Sequence, residues 1–203
     1  MFSAFIAGFA LSFSLILAIG AQNAFVLKQG LRREHVLLVC LTCAVSDALL
    51  IAAGVAGFAS ATARLPWLEP VLRIGGAAFL LWYAARSLRA ALLPRHAALQ
   101  PATGGSHGAA KVLAATLAFT WLNPHVYLDT LVLLGSISSQ YEGQRPLFAA
   151  GAMMASFMFF FALGFGARLL RPIFANPRAW RLLDGLVGLC MLAIALHLLA
   201  QGA

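Results

Sequence analysis

The sequence predicts an all-α integral membrane protein with six transmembrane helices, and three observations lead to that fold class. Hydrophobic residues make up 62% of the 203-residue chain and charged residues only 10%, which excludes an ordinary soluble globular domain. Apolar stretches of helical length recur along the chain, and none shows the alternation of a strand. The basic residues fall mainly between those stretches.

The six apolar stretches, in order, are residues 2–27, 36–59, 72–93, 112–139, 147–170 and 180–200. Each offers roughly the 20 residues that a helix needs to cross the hydrocarbon core. A long polar stretch with Gly and Pro, residues 94–111, separates the first three spans from the last three. We therefore divide the chain into a three-helix half (1–93), a cytoplasmic linker (94–111) and a second three-helix half (112–203). Two such halves of opposite orientation form an inverted repeat, whose ligand site lies between them.

The net charge of +8 would favour nucleic acid as the partner of a soluble protein, but here the basic residues act as orientation signals. The loops after spans one, three and five are flanked by Lys28, Arg32, Arg33, Arg86, Arg89, Arg95, Lys111, Arg168, Arg171, Arg178 and Arg181. The loops after spans two and four carry only Arg64, Arg73 and Arg145. We expect the first group of loops in the cytoplasm, both termini outside, and no nucleic-acid partner.

Span two contains an acid, Asp47, whose helix face also carries Cys40, Cys43 and Gly54. Small residues on that face allow close contact with another helix. An acid at membrane depth either hydrogen-bonds a neighbouring span or belongs to a transport path, and the second interpretation is the stronger. Because burial disfavours an ionised carboxylate, such an acid can also exchange a proton.

Span four contains a polar run from Trp121 to Asp129. Pro124 removes a backbone donor there and breaks the helix. Four polar side chains share its depth, those of Asn123, His125, Tyr127 and Asp129. His125 and Asp129 are four residues apart on one helix face and within reach of a mutual hydrogen bond. A broken helix of this kind exposes backbone groups that hold the charged ends of a small zwitterion, so we predict that this run lines a substrate path.

Span one ends in a weaker version of the same pattern. Gly20 is followed by Gln22 and Asn23, which are either helix caps at the interface or ligands of a substrate. Trp180 and Asp184, at the start of span six, are interpreted as interfacial anchors.

These motifs resemble those of the lysine exporter family of bacterial amino-acid efflux proteins, most of all its arginine-exporter branch. The matching residues are Gly20-Ala-Gln-Asn-Ala-Phe25, Ser46-Asp47, and Thr120 to Asp129 followed by Gly135-Ser136. The resemblance covers nearly the whole chain. It implies a six-span carrier of the bacterial inner membrane that exports arginine or lysine, is homodimeric, and is driven by protons or the membrane potential. It implies neither an enzyme activity nor a cofactor.

Two alternatives remain open at this stage. A positively charged cargo fits two buried acids, because it would otherwise lose its water with nothing to balance its charge. Neutral amino-acid carriers of the wider superfamily also carry acids, so the cargo can instead be a neutral amino acid or another small metabolite. Cys40-x-x-Cys43 would suggest an intramembrane oxidoreductase, but the pair lies in an apolar helix with no strand before it, which favours ordinary buried cysteines.

The distribution of basic residues makes a prediction about topology. A reporter fused after Ala97 should be found on the cytoplasmic side, because positively charged loops are retained there. Alkaline phosphatase and fluorescent-protein fusions at this position measure the side directly. Periplasmic alkaline phosphatase activity would reverse the orientation and place both termini inside.

Overall fold

The computed structural model describes residues 2–17, 20–57, 68–92, 108–170 and 172–200. Throughout this part the regular structure is helical, and no strand is present in it. Within its described residues, the first half contributes four helices, α1 (Phe2–Leu17), α2 (Ala21–Arg32), α3 (Val36–Val55) and α4 (Leu68–Leu92).

The second half begins with α5 (Ala109–Trp121) and continues as one helical run from residue 124 to 138. That run consists of α6 (Pro124–Tyr127), a π-helical segment (Leu128–Leu134) and α7 (Gly135–Ser138). Helix α8 (Arg145–Gly166) follows and leads into two 3₁₀ turns, Ala167–Leu170 and Ile173–Ala175. Helix α9 (Pro177–Ala200) ends the described chain.

The prediction of an all-helical membrane fold is confirmed, whereas six separate spans remain a prediction. Three described helical runs are long and apolar enough to cross a bilayer, Val36–Val55, Arg145–Leu170 and Pro177–Ala200. The pair Ser3–Leu17 and Ala21–Arg32 meets the same criterion only as a bent unit, with 80° between its members. Predicted span four is divided into two shorter apolar helices, Ala109–Trp121 and His125–Ser138.

Predicted and observed boundaries differ at the breaks and at the linker. Predicted span one ends at residue 27, but α2 continues to Arg32. Most of the predicted linker, residues 94–107, lies outside the described residues, and its last three residues already belong to α5, which begins at Ala109. The helix starts there because Gly108, with φ −50° and ψ 140°, is the last residue outside the helical conformation.

Close helix contacts depend on small residues. Helix α1 packs along α8, and α4 packs along α9. A side chain at Gly8 would overlap the carbonyl oxygen of Phe148, and one at Gly151 would overlap that of Phe5. On the other side of the bundle, a Cβ at Gly135 would lie 2.7 Å from the Gly54 carbonyl oxygen. The backbones approach this closely because these positions have no side chain.

A buried ion pair corrects the interpretation of Asp184 as an interfacial anchor. Asp184 is only 2% exposed, and its Oδ1 accepts a 2.5 Å hydrogen bond from the Lys28 ammonium. The pair joins α2 of the first half to α9 of the second. A carboxylate inside a bundle needs such a partner, because an unpaired buried charge is very unfavourable. Trp180 nearby donates from Nε1 to the Phe174 carbonyl oxygen at 2.9 Å.

The contact between α1 and α8 predicts the effect of Gly151→Ala. The new methyl group would lie 2.9 Å from the Phe5 carbonyl carbon and 3.0 Å from the Phe9 backbone nitrogen, so the helices must separate. We expect a loss of about 1 to 3 kcal/mol in the free energy of unfolding, measured by thermal unfolding in detergent. Gly75→Ala in α4 is the control, because no described atom lies within 4 Å of its Cβ position. Equal stability of the two variants would contradict the close contact.

Candidate functional site

The break between α1 and α2 is held by a side chain. Gly20 precedes α2 in an extended conformation, with φ −114° and ψ 171°, and offers no side-chain cap. The amide nitrogen of Asn23 donates to the carbonyl oxygen of Ile16 at 2.7 Å, across the bend. This bond satisfies a carbonyl near the end of α1 that would otherwise lack a partner within the helix.

The break between α5 and α6 is held in a similar way. Asn123 lies between the helices, and its Oδ1 accepts from the backbone nitrogen of His125 at 3.1 Å, as an N-cap does. Pro124 is the first residue of α6, where its missing N–H has no helical acceptor. The hydroxyl of Tyr127 reaches back and donates to the carbonyl oxygen of Trp121 at 2.8 Å. Polar side chains thus replace the backbone bonds lost at the break.

Asp129 lies in the π-helical segment that follows α6. In a π-helix the backbone bonds reach one residue further than in an α-helix, and such segments inside α-helices are frequent at functional sites. Thr130 in the same segment donates from its hydroxyl to the Val126 carbonyl oxygen at 2.6 Å. The π-helical distortion of the backbone therefore lies where polar side chains occur in this helical run.

A cavity of about 400 Å³ lies between the two breaks and the helices α3, α8 and α9. Its polar lining residues are Ser12, Gln22, Asn23, Asp47, Asn123, His125, Asp129, Thr130, Ser156 and His197. Apolar side chains, among them those of Leu15, Ile51 and Phe160, complete the wall. The cavity has the mixed character of a site for a small polar molecule.

Asp47 is the most deeply buried acid of this cavity. Asp47 is 5% exposed, and its Oδ2 accepts a hydrogen bond from the Ser156 hydroxyl at 3.0 Å. The preceding Ser46 accepts from Trp121 Nε1 at 3.1 Å, which ties α3 to the break after α5. Asp129 faces the same cavity and is half-buried. Among the described residues, neither Asp47 nor Asp129 forms an ion pair.

Two buried nitrogen atoms at the cavity have no hydrogen-bond partner within the described structure, Nε2 of Gln22 and Nδ1 of His125. The His125 ring lies edge-on to the ring of His197, with 6.1 Å between their centroids. Buried polar atoms are nearly always satisfied in folded proteins. Because both atoms belong to residues that line the cavity, these two side chains are candidates for contact with a ligand.

The structure brings most of the predicted site residues together. Gln22, Asn23, Asp47, Asn123, His125 and Asp129 all line this one cavity. Tyr127 does not line it and instead secures the break, as described above. Pro124 begins α6, and its side chain lies outside the described part. His125 and Asp129 share the cavity without the mutual hydrogen bond that their spacing allows.

Sequence reasoning missed four lining residues, Ser12, Thr130, Ser156 and His197. Ser156 and His197 carried a usable signal, because each is a polar residue inside an apolar stretch. Ser156 lies in a Phe-rich stretch, and His197 is three residues from the end of α9. The other two hydroxyls gave little signal, since Ser and Thr commonly bond the backbone of their own helix.

The cysteines of the Cys40-x-x-Cys43 pattern are not joined. Both are free and buried, and Cys40 donates from Sγ to the Phe160 carbonyl oxygen at 3.2 Å. Neither lines the cavity. In the part of the chain that the structure describes, no group of three or more His, Cys, Asp or Glu side chains is arranged to hold a metal ion.

Comparison with known proteins gives a consistent result. Residues 13–202 match the family model described as LysE type translocator. The arginine exporter protein ArgO of an Enterobacter species is 43% identical over 203 residues, which are 100% of this chain and 96% of that protein. YggA of Aeromonas salmonicida, named as a proposed amino-acid transporter, is 48% identical over 204 residues, 100% of this chain and 98% of the relative. No solved structure matches the chain.

The hydrogen bond across the second break predicts the effect of Tyr127→Phe. Loss of the hydroxyl leaves the Trp121 carbonyl oxygen without this donor, so the free energy of unfolding should fall by about 1 kcal/mol. Tyr141→Phe is the matched control, because the Tyr141 ring stacks on Phe148 at 5.2 Å and its hydroxyl forms no bond to the described residues. Thermal unfolding in detergent measures both. If the two variants unfold alike, Tyr127 does not secure the break.

Proposed function

The chain belongs to the LysE type translocator family, and we propose that it exports basic amino acids, arginine foremost and lysine with it, across the bacterial inner membrane. The carboxylates of Asp47 and Asp129, on a cavity between two broken helices, are the observation that carries this proposal. The full-length relatives named as arginine exporters support the same substrate class.

The side chain of the substrate is assigned to the two carboxylates. Asp184 in α9 already has a cation, Lys28, whereas Asp47 and Asp129 have no ion-pair partner among the described residues. A guanidinium or ammonium group that enters the cavity loses water, and a nearby carboxylate offsets that cost. A neutral side chain gains much less from the same two acids, which favours a basic amino acid over the neutral alternative.

The α-carboxylate of the substrate is assigned to the start of α2. The first helical bond there runs from the Ala24 nitrogen to the Gly20 carbonyl oxygen at 3.1 Å, so the preceding amides have no acceptor within the helix. Gly20, Ala21 and Gln22 line the cavity at this point. A helix N-terminus attracts negative charge, and the unpartnered Nε2 of Gln22 adds a donor.

The transport mechanism that we propose is that of a secondary carrier. A carboxylate that alternates between a bound cation and a bound proton exchanges one for the other across the membrane. Asp47 suits this role because the Ser156 hydroxyl donates a hydrogen bond to its Oδ2 and no cationic side chain of the described residues pairs with it. Asp129 is the second candidate for the same exchange.

An inverted repeat of two three-span halves is part of the proposal. The packing of the described helices supports it, because the main contacts between the two halves form a symmetric pattern. The broken unit α1 and α2 packs on α8, and the broken unit from α5 to α7 packs on α3. Helices α3 and α8 contact each other, as do α4 and α9. Two breaks facing one cavity are what such symmetry produces. A homodimer remains a prediction, which light scattering in detergent measures.

Efflux of labelled arginine from preloaded cells that lack their own exporter tests the function. Expression should accelerate efflux, and unlabelled lysine should compete more strongly than homoserine or threonine. A thiol blocker should leave export unchanged, because Cys40 and Cys43 are buried away from the cavity. Stronger competition by the neutral amino acids would replace the proposal with a neutral carrier, and loss of export on thiol blocking would favour cysteine chemistry.

The two acids predict the effect of Asp47→Asn and Asp129→Asn. Each variant keeps the size of the side chain and an acceptor oxygen but removes the charge that balances the cargo. We expect export of arginine and lysine to fall at least about tenfold while membrane abundance is retained. Glu142→Gln, in the exposed turn before α8, is the control and should export normally. A loss of export that merely follows a loss of protein would assign both acids a structural role.

A further inference from the structure

A second cavity, of about 740 Å³, lies at the end of the bundle where the basic residues gather. It is bordered by the second half of α2, the second half of α4 and the beginning of α5. Five cationic side chains line it, those of Lys28, Arg32, Arg86, Arg89 and Lys111, and no acidic side chain of the described residues does. Cationic side chains line this cavity, whereas carboxylates line the first one. A cationic amino acid is therefore not expected to bind here.

Most of these cations have no acidic partner in the part of the chain that the structure describes. Within the described residues only Lys28 forms an ion pair, with Asp184. Arg32 and Arg86 lie over the rings of tryptophans instead, with their guanidinium carbons 5.9 and 5.8 Å from the ring centroids. Like charges gathered around one cavity repel one another, and an anion inside it relieves that repulsion.

Two buried side chains at this cavity also have polar atoms with no partner among the described residues, Oγ of Ser87 and Oε1 of Gln29. Their residues are 1% and 6% exposed, so water at the protein surface does not satisfy them. Other hydroxyls within the helices, such as that of Thr116, bond the carbonyl four residues earlier, but that of Ser87 does not. The cavity thus offers one buried hydroxyl donor and one buried acceptor to a ligand.

The flank of the cavity is apolar and faces outward. Phe79 and Trp82 line it, and Trp82 is 57% exposed. In a membrane protein such an exposed tryptophan lies against lipid, usually at the level of the headgroups. The basic residues predict that this end is cytoplasmic, where basic pockets between helices bind lipid headgroups. An occupant therefore has an anionic head at the arginines and an apolar body beside Trp82.

We propose that this second cavity binds an anionic phospholipid with a hydroxylated headgroup, of the phosphatidylglycerol type. The phosphate lies among Arg86, Arg89 and the Ser87 hydroxyl, which donate to its oxygens. A headgroup hydroxyl donates to Oε1 of Gln29, and the acyl chains follow the outward face beside Trp82. This lipid site is separate from the cavity proposed for the exported amino acid. If the lipid proposal fails, the proposed function is unaffected.

Thermal unfolding of the purified protein in detergent tests the site with three additions, phosphatidylglycerol, phosphatidylcholine and inorganic phosphate. Phosphatidylglycerol at about a hundredfold excess over its Kd should raise the unfolding midpoint by roughly 5 to 10 °C. The other two should raise it little. An equal shift by phosphatidylcholine would overturn the anionic specificity, and a full shift by inorganic phosphate would replace the lipid with a soluble anion.

The variant Arg86→Gln/Arg89→Gln tests the location, because both residues are exposed and their replacement should not prevent folding. Native mass spectrometry should show phosphatidylglycerol binding weakened at least about tenfold. Arg168→Gln/Arg178→Gln removes the same charge from exposed positions that do not line the cavity, and it should bind normally. Ser87→Ala should weaken binding without changing the charge. Equal losses in both double variants would reduce the effect to general attraction and contradict the site.

Discussion

The need to satisfy backbone polar groups inside a membrane governs this structure. Where two helices are interrupted, the lost backbone bonds must be replaced, because lipid offers no partner. Asn23 donates to the Ile16 carbonyl oxygen at one break, and Asn123 accepts from the His125 nitrogen at the other. Both replacements come from residues next to the cavity. The same side chains therefore hold the two breaks and form part of the polar lining of the cavity.

The three aspartates of the chain fall into two groups by their partners. Asp184 is neutralised inside the fold by Lys28, which ties α2 to α9. Asp47 and Asp129 face the cavity without an ion pair in the described structure. A charge without a partner at membrane depth is costly, and function is the usual reason for its presence. Because of that contrast, we propose the cavity, and not the ion pair, as the place for a cationic substrate.

Most of the residues that the sequence singled out line one cavity, whereas parts of the architecture were not predicted. Asp47 and Asp129 were recognisable because an acid inside an apolar stretch is rare, and Asn123 because it precedes a helix-breaking proline. The separation of α2 from α1 was not recognisable, since hydropathy reports the length of an apolar stretch but not a bend of 80° within it. The Lys28–Asp184 pair also escaped, because it joins residues 156 positions apart in the chain. The π-helical segment escaped because hydropathy does not distinguish it from an α-helix.

A structure of the protein in lipid with arginine bound tests the central claim most directly. Cryo-electron microscopy with a rigid binding fragment suits a chain of 21.5 kDa. We expect density for arginine in the cavity, with its guanidinium within ion-pair distance of Asp47 or Asp129 and its α-carboxylate at the start of α2. Arginine bound instead in the basic cavity beside Arg86, or lodged away from both breaks, would contradict it.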